Sequence, residues 1–252
     1  MTKETPKRPY LTKEEREKLH KKRKQKEMFQ KILIVGIFLS IVAAGVISVI
    51  RVKTGDVSEA SFFSAEEVTT EEPIPPLTSA KEAFPDLDIT EAYLTPNEYS
   101  RPQMPLERVK YIVIHYTANP GTTAESNRNY FEGLKDSGQT HASSHFVIGL
   151  DGEILQCIPL NEWCYASNDL NNQAISIEMC HPDASGAFNT PTYNSSVFLV
   201  AKLCDYYKIP TENVIRHYDI TGKECPKYFV EHPERWEKYL GFVNKWREPL
   251  EK

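Results

Sequence analysis

Tyr111-Ile112-Val113-Ile114-His115-Tyr116-Thr117-Ala118 is the stretch on which the fold turns. Its β-branched, continuously apolar start reads as a buried strand that delivers His115 to the end of a sheet. Val214-Ile215-Arg216-His217 repeats the pattern, and Ala174-Ile175-Ser176-Ile177-Glu178-Met179-Cys180 is a third strand-like run interrupted by one acid. Working outward, helices are expected near 124–136 and 194–207, and strands near 144–149, 153–158, 174–180 and 213–216. His145-Phe146-Val147-Ile148-Gly149 and Glu153-Ile154-Leu155-Gln156 flank Asp151-Gly152 as a hairpin. Strands interleaved with helices predict an α/β layered domain with its ligands at the sheet edge.

The two strand-terminal histidines and Cys225 have the chemistry of a metal site. Two imidazoles and a thiolate suit Zn²⁺ and leave one tetrahedral position for water, as in catalytic rather than structural sites. Asp219 to Gly222 has turn chemistry that brings Cys225 back beside His217. Taken singly, each His also reads as a satisfied core or surface residue, and Cys225 as a small buried hydrophobe; the joint pattern favours the metal. A zinc-bound water needs a base, and the attacked oxygen needs a positive neighbour. Glu178, an acid inside an apolar run, and Lys223, two residues before Cys225, fit these roles. The competing readings are a solvent-facing strand position and a solvated surface charge.

Charge is split along the chain: residues 1–53 carry a net +9 and the remainder −14. Between the two parts, Ile32 to Ile50 is uncharged and mostly apolar; as a helix its 19 residues would span roughly 28 Å, close to a bilayer core. The expected organisation is a cytoplasmic basic tail (1–31), a transmembrane helix (32–50), an acidic Pro/Ser/Thr/Glu-rich linker (51–87) and a globular domain (88–247). Lys21-Lys22-Arg23-Lys24, Lys26 and Lys31 outweigh Arg51 and Lys53, so the positive-inside rule exports everything after the helix. A cleaved signal peptide is the rival reading; the length of the apolar run and the lack of a clear A-x-A site weigh against it. The basic segment reads as a topogenic tail, and no nucleic-acid partner is expected. Export would place Cys157, Cys164, Cys180, Cys204 and Cys225 where disulfides persist, but sequence chooses no pairing.

From about Ile89 to Trp246 the chain resembles the zinc-dependent N-acetylmuramoyl-L-alanine amidases, the group related to T7 lysozyme and the peptidoglycan recognition proteins. The resemblance is carried by Ile112 to Ala118, by Ser143-Ser144-His145-Phe146-Val147-Ile148-Gly149-Leu150-Asp151-Gly152, by Ile175-Ser176-Ile177-Glu178, and by Ile215-Arg216-His217-Tyr218-Asp219 with Gly222-Lys223-Glu224-Cys225-Pro226. It implies a mixed central β-sheet flanked by helices, with zinc on His115, His217 and Cys225. It also implies peptidoglycan as substrate, cut at the amide between N-acetylmuramic acid and L-alanine. In that reading Glu178 is the base and Lys223 holds the oxyanion.

Ser144 stands where part of the family has a tyrosine, which assigns this chain to the branch that uses a glutamate at the position of Glu178. His145, Tyr116, Tyr165 and Asn168 are expected to line the cleft and contact substrate, with a structural role for His145 as the alternative; His141, His181 and His232 are given no role. The function expected is thus a membrane-anchored cell-wall hydrolase working outside the cytoplasm. The alternative is a non-catalytic peptidoglycan sensor, which would need neither Cys225 nor Glu178. A zinc peptidase of another kind lacks its His-Glu-x-x-His helix here.

Overall fold

The computed structural model describes residues 77–247. Six strands form one sheet in the order β1-β4-β3-β5-β2-β6, with β1 at Ile89–Glu91, β2 at Tyr111–Tyr116, β3 at Phe146–Ile148, β4 at Ile154–Gln156, β5 at Ala174–Met179 and β6 at Val214–Arg216. Only β3 and β4 run antiparallel, as the hairpin around Asp151-Gly152 requires; β3, β5, β2 and β6 are mutually parallel. The mixed α/β expectation therefore holds for the described domain.

Strand residues alternate between two faces because successive side chains point to opposite sides of the pleat. Ile112, Ile114, Ile175, Ile177, Phe146, Ile148 and Ile154 share one apolar core with helix α3 (Thr190–Tyr206) and helix α6 (Pro233–Trp246). The opposite face meets helix α2 (Ala124–Ser137), whose Ala124, Phe131 and Leu134 pack with Val147, Cys157, Cys164 and Cys180. α2 starts where the Thr123 side chain accepts from the Ser126 N–H, and ends at Gly138 in the left-handed region (φ 60°). α3 begins at Thr190, four residues before the expected start, because Asn189 caps it by accepting from the Thr192 N–H and Pro191 fits its first turn.

Three differences from expectation have physical causes. The stretch 77–87, expected as linker, docks on the sheet: helix α1 (Ala80–Ala83) has Ala80 buried, and Phe84 joins the main core. The Gln156 side chain accepts from the Ala80 N–H and donates to the Thr78 carbonyl, a long-range tie that local composition does not reveal. Second, the 219–222 turn is the end of a short helix, α4 (His217–Thr221), closed by Gly222 at φ 74°. Helix α5 (Lys227–Glu231) follows it.

Third, the expected fold included a membrane-spanning helix, and this is corrected: among the described residues no helix is long and apolar enough to cross a membrane. The domain consists of the sheet and the helices packed on it. Residues 32–50, to which the span was assigned, lie outside the described residues, as do the basic tail and the linker up to residue 76. All five cysteines are free and buried, so the described domain holds no disulfide.

Candidate metal centre and active site

The site forms where β2, β5 and β6 end. These strands are parallel neighbours, and ligands in open α/β sheets bind beyond the carboxyl ends of such strands. His115 and Glu178 are partners in the β2–β5 register, so both side chains leave the sheet on the same face, the one turned toward α2. His217 follows β6 directly as the first residue of α4. The Gly222 turn then returns the chain, and the Tyr218 N–H donates to the Cys225 carbonyl (2.8 Å), which fixes Cys225 beside His217.

One ligand atom each from His115, His217 and Cys225 lies within 4.8 Å of the others, and all three residues are buried. Cys225 Sγ is 3.9 Å from His115 Nδ1, and the two imidazole centroids are 4.6 Å apart. His217 Nδ1 is buried with no hydrogen-bond partner, a costly arrangement unless something binds there. The three side chains fit a divalent metal on these grounds: convergent soft and borderline donors, in a buried position, with an unsatisfied lone pair among them.

Burial dominates the electrostatics. It holds His115 well below the ordinary imidazole range, aided by His217 and Lys223, and takes His217 down to about 4, with Lys223 contributing. Both rings are therefore neutral at neutral pH, the form that ligates metal. Burial pushes Glu178 up to about 8, against the opposing pull of Lys223, and Glu178 Oε2 also lacks a partner. Cys225 is raised to about 12 by burial and by Glu178, so its thiolate form needs a positive charge beside it.

These residues open onto a cavity of about 430 Å³, shared by Tyr116, Tyr165, Asn168 and Lys223. The sequence-derived set is thus brought together with one exception. His145 is fully buried beneath the cavity: Nε2 donates to the Glu162 carbonyl (2.9 Å) and Nδ1 accepts from the Ser176 N–H (3.1 Å), with Cys164 Sγ 3.2 Å away. With both nitrogens used and no surface exposed, it tethers β5 and offers nothing to a substrate, which corrects its expected place in the cleft.

The cavity also holds residues that sequence reasoning left aside. His141 lies in it, its ring 4.9 Å from Tyr165 and 5.2 Å from Tyr99, and Tyr130 of α2 lines it while more than half exposed. His141 comes from a segment with no strand signal and is brought in where the Ser143 N–H donates to the Tyr165 carbonyl, while Tyr130 enters through the packing of α2 on the sheet. His181, also given no role, sits beside the site with its ring 5.1 Å from that of Tyr116.

Residues 105–228 match the family model described as N-acetylmuramoyl-L-alanine amidase, a span that runs from just before β2 to just past Cys225. Residues 105–228 thus carry a domain of this kind. Among curated relatives, the N-acetylmuramoyl-L-alanine amidase BlyA of Bacillus subtilis (strain 168) is 32% identical over 177 residues, 62% of this chain and 46% of BlyA. CwlL of Bacillus licheniformis, named likewise, is 36% identical over 155 residues, 56% of this chain and 42% of CwlL. The chain thus spans about half the length of these relatives. Among solved structures, the catalytic domain of XlyA aligns with a TM-score of 0.54 at 28% identity, over 62% of this chain and 99% of that one. PlyL aligns at 0.52 and 27%, over 64% and 98%.

Proposed function

We propose that this protein is a peptidoglycan hydrolase that cleaves the amide between the lactyl group of N-acetylmuramic acid and the L-alanine of the stem peptide. The observation that carries the reading is the half-buried carboxyl group of Glu178, whose Oε2 is buried and unpartnered, set on the adjoining strand beside a His-His-Cys cluster and open to a cavity with a lysine at its wall. A sensor would need the cavity but not this acid.

His115, His217 and Cys225 would hold zinc, which when bound supplies Lewis-acid polarisation of the carbonyl and a more acidic water. In the hydrolysis a C–O bond forms from water to the lactyl carbonyl carbon and the C–N bond to alanine breaks. Glu178 accepts the proton from the attacking water and delivers it to the departing alanine nitrogen. Poised near neutrality by burial, its carboxyl group is suited to both halves of that transfer. The Lys223 ammonium faces the oxygen on which negative charge develops. Tyr116 and Tyr165 offer ring faces and hydroxyls to the sugar or peptide. Peptidoglycan lies outside the cytoplasm, so the domain works on the wall side of the membrane.

The test is mass spectrometry of purified peptidoglycan digested with the full chain, with added zinc and with a chelator. Stem peptides released with a free L-alanine amino terminus, in the zinc digest alone, are the expected products. Binding without release would replace the enzyme with a sensor. Cleavage at another bond would overturn the substrate assignment.

A further inference from the structure

The segment from Cys164 to Asn171, between β4 and β5, runs into the 3-10 helix Asn168–Gln173 and touches both metal-ligand histidines. Asn168 Oδ1 lies 3.2 Å from His217 Nε2, and Ser167 Oγ lies 3.5 Å from His115 Nε2 and 2.8 Å from Ser176 Oγ on β5. Both contacts reach the outer nitrogen of a ring whose inner nitrogen faces the cluster: His217 Nδ1 is buried and unpartnered, and His115 Nδ1 looks toward Cys225 Sγ. A carboxamide oxygen only accepts, so Asn168 selects the His217 tautomer with its proton on Nε2 and leaves the Nδ1 lone pair free.

The backbone supplies an independent observation. Asn168 has φ 51°, in the left-handed region that glycine occupies most readily. Glycine would relax that conformation but would bring no oxygen to His217. The loop is closed around this residue by Asn171, whose Oδ1 accepts from the N–H groups of Ala166 (3.1 Å) and Ser167 (2.6 Å). Ser167 is fully buried and anchors the segment in the domain, while Asn168 itself is exposed and is held by its contact with His217.

We propose that Asn168 is a positioning residue for the metal centre rather than a substrate contact: its carboxamide fixes the tautomer and orientation of His217, and Ser167 supports His115 in the same way through a longer contact. The proposal rests on the reading of His115, His217 and Cys225 as metal ligands. It replaces the substrate-binding role expected for Asn168, whose acceptor is already engaged by the histidine.

The experiment compares wild type, Asn168→Gly and Asn168→Asp in the full chain. Zinc affinity is measured by competition with a chromophoric chelator, site geometry by the absorption bands of the cobalt-substituted protein, and KM and kcat on soluble peptidoglycan fragments. Asn168→Gly keeps the left-handed backbone and removes the acceptor; zinc affinity is expected to fall about 10- to 100-fold, with altered cobalt bands and no loss of thermal stability in the metal-free protein. Asn168→Asp restores an acceptor and recovers most of the affinity. Unchanged affinity and cobalt bands in Asn168→Gly, with a raised KM, would overturn the proposal and return Asn168 to substrate binding. Wild type that binds neither zinc nor cobalt would instead sink the metal reading itself, and the proposal with it.

Discussion

The two faces of the sheet are built from the same strands and do opposite work. Toward α3 and α6, Ile112, Ile114, Ile175, Ile177 and Met179 form a fully buried apolar layer. Toward α2, the alternate residues of those strands include His115, Ser176 and Glu178, and at or beside this end lie Thr117 Oγ1, Glu178 Oε2, His181 Nε2 and His217 Nδ1, all buried and without partners. One face gains free energy from burial; the other holds polar groups at a cost in free energy. Neighbouring residues on one strand therefore separate stability from chemistry, and substitutions can be chosen to test that separation.

The largest effect is expected at the cluster. Cys225→Ser removes the soft donor, and stem-peptide release should fall to the background of chelator-treated wild type, as read by mass spectrometry. On the opposite face, Ile177→Ala should cost about 2–5 kcal/mol of stability while leaving the release rate per folded molecule unchanged; urea melts beside activity measurements check both halves. A comparable loss of release per folded molecule would show that the faces are not separable.

The pH dependence of the metal-free protein sharpens the comparison. Below about pH 4.5 the Glu178 carboxyl group is protonated whether the chain is folded or not, and it exerts no pull. Between 4.5 and about 8 the unfolded chain ionises while the folded one stays protonated, so stability falls as pH rises through this window. Glu178→Gln should lack that fall, and thermal melts from pH 4.5 to 8.5 would show the two proteins diverging upward in pH. Between about pH 4 and 6.5 a contribution of opposite sign overlaps it: His145 and His217, lowered by burial from 6.5 to about 4, make the folded state less stable as pH drops through that interval. Both proteins share it, so the difference between wild type and Glu178→Gln isolates the carboxyl group. The smallest effect belongs to a site remote from the chemistry: Asn189→Ala, which removes the α3 cap and a bond from its side-chain amide to the Leu150 carbonyl (2.7 Å), should cost about 1 kcal/mol and no activity.

Much of this was legible in the sequence because the decisive signals are local. A β-branched run ending in His, twice, with an acid inside a third run, needs no tertiary knowledge to suggest a sheet edge bearing a metal and a base. What escaped depends on contacts between distant segments. β1 is only three residues long, too short to show a period. Residues 77–87 read as linker because their burial is set by Gln156 and the α3 core rather than by their own composition. His145 precedes the apolar run of β3 whereas His115 closes that of β2, and the segment carrying Glu162 and Cys164 contacts its ring and holds it. Asn168 was placed in the site on chemical type alone, and only the structure aims its side chain at His217.

The central claim is that the carboxyl group on the polar face performs the proton transfer while its burial costs stability rather than adding to it. The direct test is stem-peptide release by the full-length, zinc-loaded Glu178→Gln protein at the same folded concentration as wild type. A loss of about 10²- to 10⁴-fold, with a metal-free melting temperature at pH 8 no lower than wild type, is the predicted result. Release at the wild-type rate would contradict the account and remove Glu178 from the reaction.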